Sequence, residues 1–138
     1  MALASAHLYF ENAAGQVLAH PAGYAAFVYK PGPLPLAEWQ DLVTQTARLL
    51  RRNNWDGLLG DQRLMSPYTP AQRQWLVAFW QAYTQQYRVH LRAAIVLAQD
   101  VFARLAVNQL QQELRVAAMS YRLFANEIRA AAWLVPLG

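Results

Sequence analysis

The sequence predicts a single α/β domain built on a mixed β-sheet covered by about four helices. Three observations carry this reading. Short β-branched and aromatic runs alternate with longer runs of helical periodicity. One stretch, Ala93 to Ala98, is apolar without alternation, as in a strand buried on both faces. The chain has 138 residues, 56 % of them hydrophobic and only 14 % charged, which suits one well-filled core rather than disorder.

His7 to Glu11 reads as the first strand, rich in Leu8, Tyr9 and Phe10. Asn12-Ala13-Ala14-Gly15 reads as a turn, Gln16 to Ala19 as the return strand, and Tyr24 to Lys30 as a third strand after the break at Pro21-Ala22-Gly23. Pro31, Pro33 and Pro35 exclude helix interior between Lys30 and Leu36, because proline has no backbone donor. From Leu36 to Asn53, Leu36, Trp39, Leu42, Val43, Thr46, Leu49 and Leu50 repeat at the spacing of a buried helical stripe. Arg51 and Arg52 fall in its last turn, where cations oppose the helix dipole.

Gly57 to Asp61 reads as a short buried strand whose glycines imply close approach by a helix. Thr69, Pro70 and Gln72 spell an N-cap, a proline at the first helical position and a capping box. The helix that follows places Trp75, Leu76, Phe79, Trp80, Tyr83 and Tyr87 on one broad face. Val89 to Ala98 is the next strand. Asp100 caps a helix from Val101 to about Leu114, with Phe102, Leu105, Ala106, Gln109 and Leu110 tracing its stripe. Met119 to Phe124 is the last strand. Asn126 caps a final helix with Ile128, Ala131, Trp133 and Leu134 inward.

The order of these elements resembles the STAS fold of anti-anti-sigma factors and sulfate-transporter tails. Leu8 to Gly15, Asp61-Gln62-Arg63, Asp100 to Ala106, and the ending from Tyr121 to Leu134 are similar to small bacterial SpoIIAA-like (STAS/SEC14) proteins. The similarity spans about residues 7 to 134. It implies a non-enzymatic module that acts by docking to a protein partner, with a serine phosphoswitch after the central strand. Asp61 matches the strand-end acid of such domains. Ser66 and Thr69 stand in the place of the switched serine by topology, and the Ser-Ser-Gly of that motif is missing. The SEC14 relation implies the alternative, a carrier of a small apolar or lipid-like ligand.

On residues alone, each candidate also has a structural reading. Thr69 is a helix cap, Asp61 an anchor for Arg63, and the aromatic face Trp75, Phe79, Trp80 and Tyr83 either core or a ligand or partner surface. His7, His20 and His90 are the only histidines, and His7 and His20 flank a hairpin where they can approach each other without a third ligand. No metal site, cofactor or catalytic set is expected. The net charge is +4, with arginines scattered along the chain, so nucleic acid is not an expected partner. The chain has no cysteine, no apolar run of membrane-spanning length and no basic n-region in its short, mildly apolar opening Met1 to Ala6, so a cytoplasmic location is expected. Low charge, five tryptophans and an unprotected opening hairpin predict a weak or moderate homodimer, through that hairpin or an apolar helix face.

Overall fold

The computed structural model describes residues 6–135. The reading of the opening residues as no signal peptide falls largely outside them. The strands are β1 (His7–Glu11), β2 (Gly15–His20), β3 (Tyr24–Tyr29), β4 (Gly57–Asp61), β5 (Leu91–Val96) and β6 (Met119–Phe124). The helices are α1 (Leu36–Asn53), α2 (Pro70–Tyr87), α3 (Val101–Glu113) and α4 (Glu127–Leu134), and one 3-10 turn, Leu114–Ala117, prolongs α3.

All six strands form one mixed sheet in the order β1-β2-β3-β4-β5-β6. β1, β2 and β3 are an antiparallel meander, and β3 through β6 are parallel. Every crossover therefore steps to the next strand in the same direction. Right-handed connections that always step one way leave their helices on one side of the sheet. α1, α2 and α3 accordingly share a large core with Ala25, Leu58, Ala93 and Ile95. α4 follows the last strand onto the other side, over Tyr24, Ala26, Leu59, Ala94 and Val96.

β5 meets the expectation of a strand covered on both faces. Leu91, Ala93, Ala94, Ile95 and Val96 have no exposed surface. The strand is shorter than Val89 to Ala98, for a local reason. The Val89 amide donates to the Thr84 carbonyl at the end of α2; at the other end the Leu97 amide makes the last ladder bond, to the Phe124 carbonyl of β6, and the Gln99 amide turns to the Arg63 carbonyl. Gly60 lies between Phe27 and Ile95 in register. A Cβ there would stand 2.4 Å from Phe27 Cζ and 2.8 Å from Ile95 Cδ1, so neighbouring strand side chains, not a helix, require this glycine. At Gly57 the approach is in part helical, with Leu134 of α4 at 3.3 Å.

The caps are those the residues indicate. Thr69 forms a full capping box with Gln72, Asp100 Oδ1 accepts from Ala103, and Asn126 Oδ1 accepts from Arg129. α1 ends at Asn54, which takes the left-handed conformation with φ 56° that asparagine tolerates better than most residues.

Three stripe assignments are corrected. Leu36 is exposed at the start of α1. α3 turns Ala103, Ala106, Val107 and Leu110 inward and leaves Phe102 and Leu105 outside. α4 buries Ala130, Ala131 and Leu134 but exposes Ile128 at 68 %. In α3 and α4 the inward positions are largely alanine. A helix seated close on a sheet has room for small side chains there, and rotation about its axis follows that fit rather than hydrophobicity alone.

Ile95 sits at the centre of the larger core, between β4 and β6. Ile95→Asp puts an unpaired charge there, at a cost of several kcal/mol. The expected result is loss of the cooperative thermal transition in circular dichroism. A melting temperature within a degree or two of wild type would show that β5 is not the central buried strand.

Candidate functional site

The loop that leaves the carboxyl end of β4 carries three of the residues singled out in the sequence: Asp61, Ser66 and Thr69. Asp61 is 6 % exposed and receives Arg63 through two side-chain bonds, Nε to Oδ1 at 2.9 Å and Nη2 to Oδ2 at 2.6 Å. The same Nη2 lies 3.7 Å from Glu127 Oε2, at the start of α4, and Glu127 is 5 % exposed. One guanidinium thus stands between two buried carboxylates. Hydrogen bonding to Asp61 raises the affinity of Arg63 for its proton further. The Tyr24 hydroxyl lies below this cluster. Burial first, and the Glu127 charge second, push its pKa up.

Ser66 is half-buried, and its hydroxyl donates to the Gly32 carbonyl at 2.7 Å, pinning the loop to the proline-rich turn. Thr69 is exposed, but its Oγ1 accepts from the Gln72 amide at 3.1 Å while Gln72 Oε1 accepts from the Thr69 amide at 2.8 Å. His90 is remote from all three. It precedes β5 and bonds Ser120 Oγ at 2.7 Å, whereas Asp61 pairs with Val96 at the far end of that strand. Six residues of strand separate the two ends by about 20 Å, so no proton relay joins them.

His7 and His20 do not meet. His7 pairs with Ala19, so His20, the next residue, points to the opposite face of the sheet. His20 stacks on Tyr24 with centroids 4.4 Å apart. Among the described residues, no group of three or more histidines or carboxylates is arranged to hold a metal ion.

Beneath the loop lies a set of residues that the sequence reading missed. Trp39 Nε1 donates to the Tyr29 hydroxyl at 3.1 Å, and the Tyr29 and Tyr68 hydroxyls are 2.6 Å apart. Gln62 Nε2 donates to the Tyr121 hydroxyl at 3.3 Å, and its buried Oε1 has no partner among the described residues. All four polar residues Tyr29, Gln62, Tyr68 and Tyr121 line an enclosed space of about 20 Å³, room for about one water molecule. Burial pushes the Tyr29 hydroxyl up to about 12 and holds those of Tyr68 and Tyr121 well above the ordinary tyrosine value. The signal in the sequence was faint: a lone glutamine directly after a buried strand, and tyrosines scattered over separate elements.

The aromatic face of α2 divides into an inner and an outer part. Trp80 reaches the enclosed space, while Phe79 and Tyr83 face a groove between α1 and α2. Trp75 is half-buried and packs on Trp39 and Phe79 with centroids 5.1 Å from each.

A scan against protein-family models and searches of curated proteins and of solved structures returned no match to this chain.

The buried tyrosines make stability fall at high pH. Their protons are held more tightly in the folded chain than at the unfolded value of about 10, so the stabilisation is complete below about pH 10 and is lost as pH rises through about 12. Absorbance at 295 nm should show the buried Tyr29 and Tyr68 titrating only with unfolding; reversible ionisation of all seven tyrosines near pH 10 with the fold intact would contradict their burial. A second expectation concerns Arg63. Arg63→Met leaves Asp61 and Glu127 without their shared cation, and should cost about 2 kcal/mol in urea unfolding at neutral pH, discounted for partial exposure of the guanidinium. Adding Glu127→Gln removes one of the two stranded charges and should recover part of the loss; a loss unchanged by it would mean packing, not charge, is at work.

Proposed function

We propose that this chain is a STAS-like, non-enzymatic docking module that works in the cytoplasm, pairs weakly with itself and presents the carboxyl end of its parallel strands to a protein partner. The observation that carries the proposal is an apolar patch on the first turns of α3. Val101, Phe102 and Leu105 are 64 %, 72 % and 60 % exposed. The Arg63 carbonyl accepts the Gln99 amide, which sets the exposed Leu64 beside the start of that helix. Large side chains left outside while alanines face the core are the arrangement of a recognition surface. The patch stands at the end of the sheet where α/β domains place their ligands, the end from which the loop carrying Ser66 and Thr69 also leaves. Thr69, exposed at the head of α2, is the better placed of the two to accept a phosphate. There the helix N-terminus favours negative charge.

The alternative of a small apolar or lipid-like ligand carried inside the domain requires a cavity of several hundred Å³. The interior space of about 20 Å³ supports the docking reading over this one.

Sedimentation equilibrium at micromolar concentration tests the surface. Wild type should show a monomer–dimer equilibrium, and the pair Phe102→Glu and Leu105→Glu should be monomeric with an unchanged melting temperature, because both side chains are already in water. An interface of at least ~1,000 Å² is needed for this to be biological. A photo-crosslinker at position 102 in the native host should capture one discrete protein. Monomer mass over a hundredfold dilution, together with no crosslinked product, would overturn the docking assignment.

A further inference from the structure

α1 and α2 lie side by side, joined at both ends and apart in the middle. Near their amino ends Trp39 packs on Trp75, centroids 5.1 Å apart. At their carboxyl ends the Arg51 guanidinium lies 4.2 Å from the Tyr87 ring centroid. In both helices the two anchor points are twelve positions apart, about 18 Å of helix. The helices therefore run parallel and in register. Between the anchors the gap is lined by the small Ala47 and Ala82, with Thr44 and Gln86 beside them. The result is an open groove of about 520 Å³, within the range of small-molecule sites.

The two walls differ in chemistry. Arg48, Arg51 and Arg52 line the α1 side, at the i, i+3, i+4 spacing that puts them on one face. Phe79, Tyr83 and Tyr87 line the α2 side at i, i+4, i+8. None of the three arginines pairs with a carboxylate among the described residues. α2 has no acidic residue, and Glu38 and Asp41 sit in the opening turns of α1. The helix dipole accounts for cations in the last turn, but not for Arg48 a turn earlier, nor for three aromatic rings opposite. Guanidinium forks match the oxygens of a phosphate and stack on flat rings, and the aromatic wall offers faces and edges to a planar body.

We propose that the groove between α1 and α2 binds a small aromatic phosphate monoester, its ring against Phe79, Tyr83 and Tyr87 and its phosphate held by Arg48, Arg51 and Arg52. The site is separate from the α3 patch and does not depend on the docking assignment. Nucleotides and simple aryl esters share this chemistry.

Isothermal titration with 1-naphthyl phosphate is the test. Saturable one-site binding in the micromolar to submillimolar range is expected. Inorganic phosphate, which has the charge without the ring, and 1-naphthol, which has the ring without the charge, should each bind at least about tenfold more weakly, equivalent to about 1.4 kcal/mol. AMP against phenyl phosphate then distinguishes a nucleotide from a simple aryl ester as the preferred source. Arg48→Gln with Arg51→Gln should weaken naphthyl phosphate about tenfold or more. Ala82→Glu, which sets a carboxylate among the arginines from the exposed side of α2, should do the same. All three positions are surface positions, and unchanged circular dichroism and melting temperature will separate loss of binding from loss of fold. No saturable heat at millimolar naphthyl phosphate, equal affinity for inorganic phosphate, or full affinity in both folded variants would each overturn the proposal.

Discussion

The constraint on which the rest of the molecule depends is the direction of its crossovers. β3, β4, β5 and β6 are laid down in sequence order, each to the same side of the last. Handedness then places α1, α2 and α3 on one face, and the other face is left to a single helix of eight residues, α4. Most of the special features follow from this asymmetry. The crowded face supports the aromatic stack and the buried tyrosines. The sparse face must hold α4 with polar contacts, because two turns of helix bury little apolar area.

Two arginines do that work. Arg63, after β4, bridges Asp61 to Glu127 at the first turn of α4. Arg92, on β5, donates to the Trp133 and Leu134 carbonyls at its last turn and to Asp56. Asn126 completes the amino-terminal cap. An isolated helix of this length would not form in water; fastening both ends to the sheet makes it part of the fold. Asp61 is therefore engaged, through Arg63, in fastening α4 to the end of β4.

The crowded face has its own logic. Large aromatic side chains on α1 and α2 keep the two helices apart, so their contact is made by rings and by one guanidinium on a ring. Inside, three hydroxyls and an amide share a space with room for one water. Outside, the gap between the helices, with Ala47 and Ala82 among its lining, leaves a groove. The enclosed space is too small for an organic ligand and the groove is not. The same aromatic helix thus gives the domain a packed interior and an open cationic slot.

Much of the fold was legible in the residues. Hydrophobic periodicity set the number and order of strands and helices, proline and glycine punctuated them, and Thr69, Asp100 and Asn126 marked three of the helix starts. These are local signals, carried by residues within a turn or two of each other. What only the tertiary structure decided is which way α3 and α4 rotate and what meets across the chain. Phe102, Leu105 and Ile128 fit an inward stripe as well as their neighbours do, and only close seating on the sheet turns alanines in and leaves them out. Thr69 as a cap could be read from three residues within one helical turn. The meeting of Tyr29, Gln62, Tyr68 and Tyr121, the bridge from Asp61 through Arg63 to Glu127, and the arginine wall facing an aromatic one could not, because each joins residues from separate elements, and the energy that pairs them exists only once the crossovers have brought those elements together.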